Sequence, residues 1–395
     1  MTAPLATAGG LLADRLLGEP PAAVHPVAVF GRLMAAVERT LRPEAAGTPA
    51  APSAEPGPRQ DPGVGPANAA AARWASQPSR FGPVAWRDGR AAGAAYAVAG
   101  AGLGAAAGAG LGAAAQLALG SPVPAGVLAT WIVVAGRALG DEAQAIGARL
   151  EAGDLNGARE RLPALVGRDP ESLDAKGVAR AVVESVAENT VDAVVAPACW
   201  AALAGPTGAG FYRAVNTLDA MVGHRNERYE RFGWAAARLD DAANWVPARL
   251  TGGLVAAVRP GRAREVLGAV VHPPAHPSPN AGVVEAAFAA ALGLRLGGDT
   301  VYAGRVDPRP AFGTGRPPEP ADIAAAVRLS RDVTLALAAV LATPSAIGAL
   351  ANRRSSAAPQ RKTNAGCSAP GRSPEPTGIS RPGVEKERRF DRGGR

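Results

Sequence analysis

The stretch AAGAAYAVAGAGLGAAAGAGLGAAAQLALGSPVPAGVLATWIVVAG, residues 91–136, carries no charged side chain. Residues 92–136 amount to 45 positions, enough for two membrane spans of about 20 residues each. Gly120-Ser121-Pro122-Val123-Pro124 supplies a turn between them. In the first span Gly100, Gly104, Gly108 and Gly112 recur every fourth residue. That spacing makes one helix face a glycine groove, which another helix approaches closely. The competing reading is an Ala/Gly-biased soluble helix or linker, because both residues are only weakly apolar. The length of the uncharged run favours the membrane.

Outward from this stretch, two further apolar segments stand out. Residues 333–352 are a third candidate span, interrupted by Pro344. Residues 193–211 are a fourth, broken by Pro197 and Gly205-Pro206; a broken segment of this kind is re-entrant or buried in protein rather than simply spanning. Because the polar segments 141–192 and 212–249 should meet at one site, 193–211 is not expected to cross the membrane only once. Between the apolar runs lie charged, helix-like segments. Residues 141–150 and 155–165 read as two short helices around Gly153-Asp154. Asp174 or Ser172 caps a helix running through Glu188, and Asn280 caps another that runs to Leu296 and closes at Gly297-Gly298. No period-two alternation marks a strand. The expected class is therefore all-α, a polytopic integral membrane helical protein with polar helical linking segments. The apolar stretch 3–13 lacks the basic flank of a signal peptide, so no cleaved leader is expected.

The mean hydropathy of +0.03 averages these runs with two polar regions. Residues 43–83 are a low-complexity loop, and 353–395 are rich in Pro, Gly, Ser and Arg. The net charge of +8 is mostly local: residues 353–395 hold 11 Lys/Arg and 4 Asp/Glu, the first 352 residues 31 and 30. A tail of this composition is expected to be disordered. The domain plan is thus a membrane domain over 1–352 and a basic tail over 353–395. With no folded basic face, nucleic acid is not expected as a partner. Positive-inside counting puts the tail in the cytoplasm. Cys199 and Cys367 have neither CxxC nor Cys/His spacing, which argues against a disulfide framework or structural zinc. Lys176 is the one lysine outside the tail, and no P-loop surrounds it.

Polar side chains gather in four places. In RAVVESVAENTVD, residues 180–192, Glu184, Glu188 and Asp192 are four apart and share a helix face flanked by Ser185 and Asn189. The bland reading is a solvated face. The stripe runs straight into an uncharged segment, however, where carboxylates are costly and mark sites. Three acids and an Asn suit Mg²⁺. Arg180, one turn before Glu184, satisfies that acid and leaves Glu188 and Asp192 as the metal candidates, with Asn189 orienting the group. In RAVNTLDAMVGHRNERY, residues 213–229, Arg213, Asn216 and Asp219 share a face, and His224, Asn226, Glu227 and Arg228 follow Gly223. Arg238, Asp240, Asp241 and Asn244 come next within one helix. Such a charge run is ordinarily wet surface, but arginines at this density hold phosphate bidentately. The third place is HPSPNAG, 276–282, where His276, Ser278 and Asn280 precede a helix N-terminus; its local reading is an ordinary Asn-capped helix, although such an end also attracts anions. The fourth comprises Asp14-Arg15, Gly18-Glu19-Pro20, His25-Pro26 and Gly31-Arg32.

The runs LLADRLLGEPP, VGRDPESLD, ARAVVESVAENTVDAVVAPACW, YRAVNTLDAMVGHRNERYERFGWAAARLDDAANWVPARLT and HPSPNAG resemble the CobD/CbiB family of adenosylcobinamide-phosphate synthases, in order, over about 5–40 and 125–350. The resemblance implies a multi-pass protein of the plasma membrane with its active segments in the cytoplasm. It implies amide formation between a corrinoid substrate, adenosylcobyric acid, and aminopropanol or its O-phosphate. It also implies activation of the carboxyl by ATP with Mg²⁺. On this reading Glu184, Glu188, Asn189, Asp192, Asn216 and Asp219 are the catalytic candidates. His25, Arg213, His224, Asn226, Glu227, Arg228, Arg238, Asp240, Asp241, Asn244, His276, Ser278 and Asn280 bind substrate, and membrane lipids surround the spans. The chain departs from the family pattern at 43–83, at Val283 where a tryptophan is expected, and beyond Asn352. A corrinoid transporter or a pathway scaffold without chemistry is the alternative. A transporter would place polar residues inside several complete spans, whereas here they cluster in the linking segments.

Overall fold

The computed structural model describes residues 2–20, 25–41, 89–167, 169–224, 228–298, 300–302, 305–307 and 311–356, with side chains described to residue 343 apart from 299–310. The low-complexity stretch 43–83 and residues 357–395 lie outside the described residues. The chain divides into a unit Met1–Leu350 and a remainder from Ala351.

The described elements are helical apart from one ribbon. They run α1 (Thr2–Leu17), α2 (Pro26–Leu41), α3 (Gly89–Leu119), α4 (Val123–Val133), α5 (Gly136–Glu151), α6 (Leu155–Arg161), α7 (Ala175–Thr190), α8 (Ala196–Val222), α9 (Trp234–Val258), α10 (Ala263–Val271), α11 (Ala281–Leu292) and α12 (Pro320–Ser356). The ribbon pairs β1 (Thr300–Tyr302) antiparallel with β2 (Arg305–Asp307).

Three segments are long and apolar enough to cross a bilayer: Gly89–Leu119, Val123–Glu151 and Ala175–Val222. α3, with 31 residues, is about 46 Å long at 1.5 Å per residue, more than a hydrocarbon core of about 30 Å needs. Leu117 and Val98 on α3, Leu203 on α8 and Leu16 on α1 are all more than 70% exposed. In water such side chains would be a liability; against lipid tails they are at home. The 333–352 segment is the second half of α12, which stays helical past Pro344 to Ser356.

Each of the two later spans is interrupted. Between α4 and α5, Val134 is extended (φ −93°, ψ 142°). Between α7 and α8 the chain makes a π turn, Val191–Val195. The two breaks answer each other: the Ala135 amide donates to the Ala193 carbonyl at 2.9 Å, so protein rather than lipid satisfies the freed backbone. Asp14 of α1 closes the same junction, its Oδ2 accepting from the Arg137 amide at 3.1 Å.

α8 is the decisive element. At Ala204-Gly205 its backbone leaves the helix, and Gly205 takes φ +59°, which glycine adopts without strain. The helix folds back on itself there. Trp200 and Phe211 ring centroids are 5.0 Å apart, and the Tyr212 hydroxyl lies 3.3 Å from the Asp192 carbonyl. Twenty residues of straight helix would separate such positions by about 30 Å. The expectation that 193–211 does not cross once therefore holds: it is a helical hairpin.

The glycine groove is what the hairpin's returning leg packs against. A methyl group at Gly104 would collide with the Gly210 carbonyl and the Ala214 side chain, and one at Gly108 with the Pro206 carbonyl. Gly100 faces Leu218 and Met34. On the other side α7 buries Val178, Val182, Val183 and Val186 against Ile146 of α5, Phe288 of α11 and Leu329 and Val333 of α12. α7 is capped as expected, Asp174 accepting from the Gly177 amide at 2.7 Å. α11 is not: Asn280 makes no capping bond, and the helix stops at Leu292 with Gly293 left-handed at φ +67°. The extra turn to Leu296 read from sequence is lost because residues beyond Gly293 bond laterally, Leu296 to Phe312.

Candidate active site

The π turn, the returning leg of α8 and the first half of α9 converge. Asp192, in the π turn, lies within electrostatic reach of Asp240, Glu188, Asp219 and Arg213. Asp240 has Asp241 and Glu188 as further charged neighbours. A chain of hydrogen bonds sets the geometry. Tyr212 donates to Asn244 Oδ1 at 2.8 Å, Asn244 Nδ2 donates to Asp240 Oδ2 at 3.0 Å, and Asn216 Nδ2 reaches Asp240 Oδ1 at 3.5 Å. Arg213 Nη1 lies 3.5 Å from Asn216 Oδ1. Burial, with the charges of Asp241 and Glu188, pushes the Asp240 carboxyl up to about 6 even though Asn244 and Asn216 pull the other way.

Arg213, itself buried, joins this acidic half to a second group from the N-terminal helices. Glu19, in the turn after α1, and His25, just before α2, both feel its charge. His25 Nδ1 accepts from the Val27 amide at 3.3 Å, so the neutral ring carries its proton on Nε2. Burial and then the Arg213 charge push the His25 imidazole down to about 4, which keeps it neutral at physiological pH. Burial raises the Glu19 carboxyl, against the pull of Arg213.

Of the residues expected from sequence, Glu188, Asp192, Arg213, Asn216, Asp219, Asp240, Asp241, Asn244 and His25 are brought together. The HPSPN loop packs behind them. Asn280 Nδ2 donates to the Asp241 carbonyl at 2.8 Å and Arg249 Nη1 to Asn280 Oδ1 at 2.9 Å. Ser278 Oγ accepts the Asn280 and Ala281 amides at 3.2 Å, and His276 Nε2 lies 3.7 Å from buried Glu285. Three candidates sit elsewhere. Glu184 Oε1 accepts the Gly297 amide at 2.8 Å, while Arg180 donates to the Gly297 carbonyl at 2.9 Å, so that pair braces the chain after α11. Asn189 Nδ2 turns back to the Ser185 carbonyl at 2.9 Å. Arg228 pairs with buried Glu38 at 3.6 Å. His224 and Arg238 are exposed, and Asn226 and Glu227 fall outside the described residues. Asp14 and Glu19 belong to the fourth polar patch read from the sequence but were given no site role there, and Tyr212 was not among the candidates.

Among the described residues no three His, Cys, Asp or Glu side chains form a ready metal cage. The donor set still suits Mg²⁺. Carboxylates outnumber the nearby cation Arg213, and Mg²⁺ takes one or two protein carboxylates and fills its shell with water and substrate phosphate.

Fold and site together define a polytopic helical membrane protein with a carboxylate-rich site beside a re-entrant hairpin. The chain belongs to the CobD/CbiB family: the family model described as CobD/Cbib protein matches residues 7–330. Among its relatives are proteins named cobalamin biosynthesis protein CobD. That of Mycobacterium tuberculosis is 44% identical over 337 residues, 84% of this chain and 92% of the relative. That of Chromobacterium violaceum is 42% identical over 341 residues, covering 86% and 96%, and that of Rhodobacter capsulatus 50% over 207 residues, covering 52% and 66%. No solved structure matches the chain.

Proposed function

We propose that this chain is the adenosylcobinamide-phosphate synthase of cobalamin biosynthesis, joining a propionate carboxyl of adenosylcobyric acid to the amine of aminopropanol phosphate. The observation that carries the reading is the convergence of Glu188, Asp192, Asp219 and Asp240 with Arg213 beside the hairpin, in a chain that shares 44% identity over most of its length with a cobalamin biosynthesis protein. Amide synthesis from a carboxylate needs that oxygen converted to a leaving group, and ATP is the proposed source. Glu188 and Asp192 would hold Mg²⁺, which when bound would neutralise phosphate charge. Asn216 and Asn244 hold Asp240 in place, and Arg213 offers a fixed cation to an anionic group. The proposed setting is the plasma membrane with the site on the cytoplasmic side, supported by the excess of 11 basic over 4 acidic residues in 353–395.

Detergent-purified full chain, given adenosylcobyric acid, ATP, Mg²⁺ and aminopropanol phosphate, should form adenosylcobinamide phosphate, read by mass. A folded preparation that forms no amide with either free or phosphorylated aminopropanol overturns the proposal.

A further inference from the structure

An amine enters amide synthesis with a problem of charge. At neutral pH aminopropanol phosphate carries an ammonium, whose nitrogen has no lone pair to attack with. Some group must take its proton at the site. Within the acidic half, Asp240 accepts from Asn244 and Asn216, and Glu188 and Asp192 are the proposed metal ligands.

Glu19 is placed differently. Its turn is held rigidly. The Gly18 carbonyl accepts Trp131 Nε1 at 2.6 Å, the Gly18 amide donates to the Asp14 carbonyl at 2.8 Å, and Arg137 Nη1 donates to the Leu16 carbonyl at 2.9 Å. The side chain lies within electrostatic reach of the buried Arg213 of α8, as does His25; Asp14 of α1 is in reach of Glu19 and of Arg137 of α5. Glu19 Oε1 is buried and has no hydrogen-bond partner among the described residues. Arg213 also lines a cavity of about 310 Å³ between α2, α3, α4 and α8, whose other walls are mostly apolar. A buried acceptor lacking a partner costs free energy unless a ligand supplies the donor.

We propose that Glu19 is the catalytic base that takes the proton of the incoming ammonium at Oε1, a role that rests on the synthase reading above. The N–H bond breaks and an O–H bond forms on Glu19. The freed nitrogen lone pair attacks the carbonyl carbon of the activated carboxyl, an acyl phosphate. The C–N bond forms, the C–O bond to phosphate breaks, and phosphate leaves with the second nitrogen proton. Glu19 then returns its proton to water. Burial favours the protonated carboxyl, which makes Glu19 a stronger base than an exposed acid, while Arg213 limits that effect.

The test uses full-length wild type, Glu19→Gln and Glu19→Asp in detergent. Glu19→Gln should lose at least about 100-fold in amide synthesis at pH 7. Its rate should then rise about tenfold per pH unit towards the amine's own pKa, because solution now supplies the free amine; wild type should rise less steeply. Hydroxylamine, already unprotonated at neutral pH, should be acylated by Glu19→Gln at close to the wild-type rate. Glu19→Asp should keep the wild-type pH profile at a lower rate, which guards against a Gln variant that fails to fold. A Glu19→Gln rate equal to wild type, or a loss that is the same at every pH and with hydroxylamine, overturns the role of Glu19. Wild type that makes no amide overturns the synthase reading instead.

Discussion

Adding one methyl group at Gly104 should cost both stability and activity, and the size follows from the packing. A Cβ there meets the Gly210 carbonyl and the Ala214 side chain at sub-contact distance, whereas one at Gly102 meets nothing within 4 Å. The two positions differ by half a helical turn, so they form a matched pair. At Gly102 an alanine gains about 0.5–1 kcal/mol from lost backbone freedom. At Gly104 the same gain is set against forcing α3 from α8, an overpacking of about 1–3 kcal/mol. Because backbone rather than a flexible side chain is in the way, the upper half of that range applies, and Gly104→Leu should exceed it. At about 2 °C per kcal/mol for a chain of this size, Gly104→Ala should lower the unfolding midpoint in detergent by roughly 2–5 °C while Gly102→Ala raises it or leaves it unchanged. The returning leg that is pushed away carries Arg213, Asn216 and Asp219. A shift of about 1 Å there is enough for a loss of order 100-fold in synthesis. Gly104→Ala and Gly104→Leu proteins as stable and as active as wild type would show that the groove is not the α3–α8 contact.

Three shorter expectations accompany it. Glu188→Gln keeps shape but removes charge, and should slow amide synthesis by at least about 100-fold, or ~2.7 kcal/mol of transition-state stabilisation, with partial recovery at high Mg²⁺; wild-type rate and Mg²⁺ dependence would refute metal binding there. Glu184→Ala strands the Gly297 amide and should cost about 1–3 kcal/mol of stability without altering Mg²⁺ dependence, so an altered dependence at normal stability would return Glu184 to the site. Asp14, pushed up to about 7 by burial and Glu19, keeps its proton in the folded chain where the unfolded chain has lost it; the folded state then binds more protons between about pH 4 and 7, and stability falls as pH rises through that window, by on the order of 4 kcal/mol. Asp14→Asn lacks that slope, so its midpoint should gain on wild type from pH 5 to 8, and parallel curves would refute the shift.

The sequence announced its membrane character and its hairpin through residues whose effects are local. An uncharged run of 45 positions and a Gly-Pro pair inside an apolar segment act on the backbone wherever they occur. The partners of the glycine groove were another matter, since nothing in α3 names α8. The acidic stripe shows the same limit more sharply. Spacing by four put Glu184, Glu188 and Asp192 on one face, but that face is continuous only while the helix is α. The π turn at Val191–Val195 adds a residue to the turn and swings Asp192 towards α9, while Glu184 stays behind on Gly297. No side chain in 191–195 signals a π turn; Pro197 has no N–H to offer the Ala193 carbonyl, which accepts from the Ala135 amide instead. Glu19 was seen in a polar patch but left without a role for a related reason, since Arg213 lies 194 positions further along the chain.

The breaks explain how a chain made largely of apolar helices assembles a charged site. An uninterrupted helix would carry Asp192 and Asp219, 27 residues apart, to positions about 40 Å from each other. Folding back at Gly205 returns the chain to its starting level, so both acids and Arg213 share one locality, and the long α3 closes the side that lipid would otherwise reach. The cost of each break is a set of freed backbone groups, which is tolerable in a membrane only where protein supplies partners. Here those partners are the Ala135–Ala193 bond, the Tyr212 hydroxyl and the Asp14 carboxyl. Two of the three belong to groups at the site or touching it. Stability of the breaks and geometry of the site are therefore coupled, and substitutions that relax the breaks should register in activity before they register in folding.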